Sequence, residues 1–309
     1  MNITSNKPNT KQLSMKRKDF LRNVAMLSAG AVMLPKLSYA QESPFTELRG
    51  GVGMFSMQGG TIGWYTSPNG IIAIDSQYAD PASKFIDGIG GFGGGPEKVL
   101  FNTHHHGDHT GGNAIFAENS YRIIAHQNVP DLQRAGAQDG NMPTVASITY
   151  SDDFAIDLGS ETVHAKYYGR GHTRGDSVIW FENANVAHMG DLVFNRFYPF
   201  IDRNGGALIE NWITLLETVA GEANADTMFI FGHGNPEFGV TGTREDLLAK
   251  RDFLAHLLEF TQNGIDAGMS REELMETTSF EEFPNVIAPS DFLSLPRNID
   301  AAYGELTEG

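Results

Sequence analysis

The chain is 309 residues long, 40% hydrophobic and 19% charged, a balance that suits a packed globular fold and excludes a disordered one. Its net charge of −16 repels nucleic acid and anionic lipid at long range. With no cysteine, disulfides, thiolate metal ligands and a cysteine nucleophile are all excluded.

Read from the N-terminus, Lys16-Arg17-Lys18-Asp19-Phe20-Leu21-Arg22 is basic, residues 24–34 are apolar, and Ser38-Tyr39-Ala40 offers small residues at a signal-peptidase spacing. The apolar run is too short to cross a bilayer, so residues 1–40 read as an export signal rather than an anchor. Arg17-Lys18 resembles a twin-arginine signal with lysine in the second place, with the general secretory route as the alternative. The expected location is periplasmic or secreted. Without a lipobox cysteine no lipid anchor is expected, and so no stable membrane attachment.

Next, 47–57 and 62–67 read as paired strands around the turn Gln58-Gly59-Gly60-Thr61, and 70–75 as a strand buried on both faces. A helix is expected over 81–89 with Pro81 in its first turn. The glycine-rich 90–96 is a loop without the strand–helix setting of a nucleotide site. Val99-Leu100-Phe101 is a buried strand, 111–117 a turn and helix, 121–125 a strand and 126–135 a helix. Strands follow over 148–150, 154–158, 161–168, 177–181 and 185–189. A helix over 206–221 buries Trp212, Leu215, Leu216 and Val219, and 227–231 is another buried strand. Thr243 caps a helix running to about residue 261, and Ser270 with Glu273 forms a capping box for a shorter one. Strands, a strand–helix alternation, more strands, then helices imply an α/β fold of two sheets between helices.

The chemistry concentrates in Thr103-His104-His105-His106-Gly107-Asp108-His109-Thr110, which joins a strand end to a helix start. Neutral imidazole suits zinc, copper, iron and nickel, and carboxylate shares such sites. Gly171-His172-Thr173, Gly190-Asp191 and Gly232-His233-Gly234 each put one more ligand-type residue at a strand end beside glycine. That makes seven, the number two metals need if one carboxylate is shared. His105 alternates away from its neighbours and reads as an aromatic packed beneath the site. Asp75, at a strand end, is a candidate to orient a ligating histidine, and His188 a candidate supporting or strand-packing residue. Arg170, Arg174, Asn195, Arg196 and Tyr198 flank the loops and read one by one as solvated residues.

Taken together, His104-x-His106-x-Asp108-His109, the Gly-His-Thr loop, the Gly-Asp and the Gly-His-Gly resemble the metallo-beta-lactamase superfamily over about residues 50–260. The likeness is strongest to its exported hydrolases of the glyoxalase II-like and lactonase-like kind. It rests also on Gly59-Gly60-Thr61, Ala125 to Val129, His188 to Leu192, and Pro199-Phe200-Ile201-Asp202 with Gly205-Gly206. The resemblance implies an αββα four-layer sandwich over 41–264, with 265–309 a helical and loop extension packed on it. It implies His104, His106 and His172 on a first metal, Asp108, His109 and His233 on a second, and Asp191 bridging. Two zinc ions are the expected cofactors, with iron or manganese as alternatives. The chain departs from zinc beta-lactamases by carrying Asp191 where one subclass has cysteine, and Phe194 where that subclass has a lysine that grips the drug's carboxylate. Thr61 stands where asparagine is usual.

The implied activity is an exported dinuclear hydrolase. It uses a metal-bridged hydroxide on a small-molecule ester, lactone, thioester or amide, beta-lactams among them. Asp108 is the catalytic candidate, steering the hydroxide and moving its proton. Two alternatives stay open: a mononuclear-iron oxidoreductase of the persulfide-dioxygenase type, and a non-catalytic metal-binding protein.

Overall fold

The computed structural model describes residues 43–137 and 142–308; the expected export signal over 1–40 lies outside the described residues. Phe45–Arg49 (β1) and Val52–Phe55 (β2) form a hairpin of their own, not the single strand that the run 47–57 suggests. Gly50 and Gly51 cause the difference: both take positive φ, 61° and 84°, which closes a two-residue turn that side chains with a Cβ disfavour. Ile62–Ser67 (β3) and Gly70–Ile74 (β4) continue the antiparallel run. After the helix Ala79–Ile89 (α1) the sheet turns parallel with Glu97–Asn102 (β5). The short helices Gly107–Thr110 (α2) and Asn113–Glu118 (α3) lead to Arg122–His126 (β6), parallel to β5. Val129–Gly136 (α4) leads to Ile148–Tyr150 (β7). The helix expected from residue 126 starts at Val129, because His126 still pairs with Tyr150 in the sheet and Pro130 fixes the first helical turn.

Asp153–Asp157 (β8), Thr162–Lys166 (β9), Val178–Phe181 (β10) and Val186–His188 (β11) begin the second sheet as an antiparallel meander. Phe194–Asn195 (β12) and the helix Ile209–Glu222 (α5) intervene before Met228–Ile230 (β13), which lies parallel to β11. His233–Gly234 (β14) pairs with β12, and Thr241–Gly242 (β15) closes the second sheet beside β13. The chain finishes with helices Arg244–Asp266 (α6), Arg271–Leu274 (α7) and Leu295–Glu308 (α8). The Thr243 backbone N–H donates to Asp246, and Ser270 and Glu273 cap each other reciprocally.

Period-two burial on both faces stacks the layers. Ile72, Ile74, Val99, Phe101 and Ile124 of the first sheet meet Val163, Ala165, Ile179, Phe181 and Ile230 of the second. Their neighbours Ile71, Ala73, Leu100 and Ile123 face Phe85, Phe116 and Val129 of α1, α3 and α4. Val178, Ala187 and Phe229 face Trp212 and Leu216 of α5 and Phe253 and Leu257 of α6. Ile299 and Ala302 of α8 join that same outer core. The result is helices, sheet, sheet, helices: the αββα sandwich.

Candidate metal centre

Loops that follow strands bring the site together at one edge of the sandwich, where open sheets present their strand ends. Asp75 follows β4, and His104 to His109 follow β5. His172 comes from the loop between β9 and β10, Asp191 follows β11, and His233 lies in β14 just beyond β13. Small residues let these loops close: a Cβ on Gly232 would overlap Asp191 Oδ1, and one on Gly60 would overlap the His109 ring. The buried Asp176 carboxylate accepts the Gly171 and Thr173 N–H groups and the Thr173 hydroxyl, which ties the His172 loop. Burial pushes its carboxyl up to about 7.

Hydrogen bonds fix which nitrogens face inward. His172 Nδ1 donates to the Phe200 carbonyl at 2.7 Å, so its neutral ring turns a bare Nε2 to the centre. His106 Nε2 donates to Asp202 Oδ2 at 3.0 Å, leaving a bare Nδ1. These two nitrogens are 2.9 Å apart, and His104 Nε2 lies 3.1 Å from the same His106 Nδ1. Lone pairs at that spacing repel unless a cation lies among them. Asp191 Oδ2 completes the set at 3.7 Å from both His104 Nε2 and His172 Nε2. All four donors lie within 4.8 Å of one another. Burial, with His109 adding to it, holds His104 well below the usual imidazole range. Burial and then His106 bring His172 down to about 3. Both rings are therefore kept in the neutral form that binds metals.

The second set is Asp108, His109 and His233. Asp108 Oδ2 is 3.0 Å from His233 Nε2, and His109 Nε2 is 3.4 Å from the same nitrogen. Asp191 reaches across: its Oδ1 is 3.0 Å from His109 Nε2 and its Oδ2 is 3.5 Å from His233 Nε2. His109 gives its Nδ1–H to Asp75 Oδ2 at 2.7 Å, so in the neutral form that binds metal its Nε2 would turn a lone pair toward Asp191 Oδ1. Asp191 Oδ1 is buried and makes no well-aligned hydrogen bond among the described residues. Burial opposes a charge on His109, but Asp191, Asp108 and Asp75 outweigh it and hold the ring well above the usual range. Burial likewise opposes a charge on His233, yet Asp191 and Asp108 lift it to about 9. A field that attracts protons so strongly attracts a divalent cation too. The orphaned oxygen, the facing lone pairs and the His/Asp chemistry all fit metal.

Behind both sets stands Asp75, fully buried. Its Oδ1 accepts the Thr103 N–H at 2.7 Å. Its Oδ2 accepts the Thr103 hydroxyl at 2.8 Å and the His109 ring. The Thr103 hydroxyl in turn accepts from His104 Nδ1 at 3.0 Å. One carboxylate therefore sets the tautomer of a histidine in each set.

All seven expected ligand residues, His104, His106, Asp108, His109, His172, Asp191 and His233, converge here. His105 lies on the flank rather than beneath, its Nε2 3.5 Å from Asp202 Oδ2. His188 takes a backing role: Nε2 donates to the Thr61 carbonyl and Nδ1 accepts the Gly190 N–H. Arg170, Arg174, Asn195, Arg196 and Tyr198 do not line the cleft over the centre. That cleft, about 400 Å³, is walled by Tyr78, Phe194, Phe200, Phe292 and Leu293 around His106, Gly107, Asp108, Asp191 and His233. Sequence reasoning overlooks Asp202 as a partner of His106, and Tyr78, Phe292 and Leu293 as wall. Only the Pro199–Asp202 likeness pointed near any of them.

Residues 75–234, just over half of the chain, match the family model described as Metallo-beta-lactamase superfamily. The chain is similar to the 2,4-dinitroanisole O-demethylase subunit alpha of Nocardioides sp., 30% identical over 32% of this chain and 30% of that one. It is similar to a hydroxyacylglutathione hydrolase of Crocosphaera subtropica, 29% identical over 40% of this chain and 43% of that one. In both cases the chain spans less than half the length of the relative. A stereoselective inverting sec-alkylsulfatase from Pseudomonas sp. shares the fold at TM-score 0.69 and 13% identity, covering 86% of this chain and 50% of that one. With the family match lying over the whole donor set and the αββα sandwich beneath it, this chain belongs to the metallo-beta-lactamase superfamily.

Proposed function

We propose that this chain is a dinuclear metal-dependent hydrolase of ester, lactone, thioester or amide-type bonds. The observation that carries the reading is Asp191, a 4% exposed carboxylate that lies between the two histidine sets: its Oδ2 is 3.7 Å from His104 and His172 and 3.5 Å from His233, and its Oδ1 is 3.0 Å from His109. The relative from Crocosphaera, named as a hydrolase, supports it. His104, His106 and His172 would hold one ion, Asp108, His109 and His233 the other, and Asp191 both. Zinc is the first expectation, with iron or manganese as substitutes. Bound ions of this kind polarise a substrate oxygen and lower the pKa of water to about 7.

The protein's own part in the proton work falls to Asp108. Its side chain is 25% exposed, against 4% for Asp191, so it meets the cleft. Burial raises its carboxyl, but His109 and His233 pull it below the usual range. It is therefore ionised at neutral pH and ready to accept a proton from water. Tyr78 lines the same cleft, and burial and then Asp108 hold its phenol above the usual range. It stays a hydrogen-bond donor there. No serine or cysteine among the described residues lines the cleft. In this reading the reaction takes place in the periplasm or outside the cell, on the strength of the basic and apolar pattern over 16–40.

Metal analysis tests the reading first. Two zinc ions per chain are expected, whereas a single iron would move it to the persulfide-dioxygenase type of oxidoreductase. A substrate panel of nitrocefin, lactones, S-lactoylglutathione, phosphodiesters and aryl sulfates then identifies the bond. On that substrate, Asp108→Asn should keep the first ion and lose roughly 10²–10⁴-fold in kcat. Near wild-type turnover with both ions bound would overturn the mechanism.

A further inference from the structure

The cleft has an uneven chemistry. Among the described residues, every charged or ionisable group in its lining is a donor-set residue, apart from Tyr78, and no lysine or arginine is among them. The remaining wall is carbon. Phe194 lies 5.3 Å from the His233 ring and nearly parallel to it. Phe200 lies 5.3 Å from the His106 ring, and Phe292 lies 4.8 Å from Phe200. A continuous aromatic path therefore runs from the donor imidazoles to the rim, and it ends on Phe292, an aromatic left 52% exposed.

Phe292 and Leu293 come from the segment before α8 and are held in place. Ile287 pairs with the 196–198 stretch, accepting from Tyr198 N–H at 3.1 Å and donating to the Arg196 carbonyl at 3.0 Å. Ser290 bridges to Leu293. Arg297 sits 5.6 Å from the Phe292 ring centre and lines an adjoining cavity that shares Phe200 and Phe292 with the cleft, whose own lining does not include it.

We infer that the substrate carries an apolar, uncharged arm beyond its scissile group, and that Phe292 and Leu293 form the outer wall that selects it. The inference rests on the metal centre of the preceding section. An anionic arm would lose water against three phenyl rings with no lysine or arginine in the cleft lining among the described residues, on a chain of net charge −16; Arg297, beside Phe292, faces the adjoining cavity. An alkyl or aryl arm would cover Phe292, whose exposure is otherwise a hydrophobic surface left in water.

The test uses hydroxamic acids on the metal-loaded protein, read by calorimetry. Octanohydroxamic acid and suberic monohydroxamic acid share the metal-binding head and chain length, and differ by a terminal carboxylate. The apolar compound should bind at least tenfold more tightly. Phe292→Ala combined with Leu293→Ala should erase most of that preference and leave acetohydroxamic acid within about twofold of wild type. Phe292→Arg should reverse the preference. Phe292 is exposed and Leu293 half-buried, and an unchanged melting temperature shows that the variants fold. Equal or tighter binding of the carboxylate compound would overturn the inference, and so would a preference that survives the double substitution. Loss of turnover on every ester with the hydroxamate preference intact would refute the hydrolase reading and leave this one standing.

Discussion

Asp75 is the residue on which both histidine sets depend, and it belongs to neither. Its Oδ2 holds His109 directly and His104 through the Thr103 hydroxyl. Asp75→Asn keeps the volume but replaces one acceptor with a donor aimed at an N–H or hydroxyl. Affinity for metal should fall about 10–100-fold, the usual effect of removing an outer partner of a ligand. Competition with a chromophoric chelator measures it, and wild-type affinity in the variant would remove Asp75 from the role. At this scale the ligand residues are legible because four of the seven lie within six positions and the others sit beside glycines. Asp202 is not, since its partner His106 is 96 positions away in the chain. Phe292 is less legible still: nothing in Asp291-Phe292-Leu293 marks a wall for a cleft built by residues 78 to 233.

Among the elements, strands and helices buried on a regular period are plain in the sequence, and the errors fall where local chemistry overrides the pattern. The run 47–57 alternates well enough for one strand, but two glycines fold it into a hairpin. His126 continues the apolar alternation of β6, so the helix after it begins later than its composition suggests. The pairing of β12 with β14 was not legible at all, being two residues long on each side. That pair nonetheless seats His233 opposite Phe194, and Gly232 precedes it with its Cα turned against Asp191. Gly232→Ala should displace the Asp191 carboxylate and cut metal content by about one ion per chain. Elemental analysis of the purified variant checks this, and full occupancy would show that the loop gives way instead.

For the molecule as a whole, Lys250 is a buried charge outside the centre. It is 5% exposed, its Nζ donates to the Phe197 carbonyl at 2.8 Å, and it sits 5.3 Å from the Phe253 ring centre. Burial, and then Arg196, bring its ammonium down to about 7; Arg196 is itself paired with Asp246 at 2.9 Å. In the unfolded chain a lysine titrates near 10.4. Below about pH 7 it is charged in both states and the full cost of burial is felt. Between pH 7 and 10 the unfolded chain holds a proton that the folded one has shed, so stability rises with pH. Lys250→Met lacks this term. The wild type should gain on the variant by roughly 1 kcal/mol per pH unit over that window, read by urea unfolding at pH 7, 8 and 9. A difference that is flat with pH would place the ammonium in water. The sandwich itself is legible from strand and helix order, but a lysine under α6 is not, since Lys250 looks like any exposed helical position.

Each donor set draws on both sheets. His104 and His106, carried by the first sheet, face His172 from the second, and Asp108 and His109 face His233 on the short β12–β14 pair that follows the second sheet's β13. The donor centre is thus also a fastener across the open end of a book, whose spine is the layer of Ile72, Phe101, Ile179 and Ile230 between the sheets. Metal bound there holds the covers shut by an amount that grows with the logarithm of its concentration over its dissociation constant. Metal retention and mechanical closure are then one property of this edge. A variant selected for looser, faster exchange at the centre will also be one whose pages part more readily.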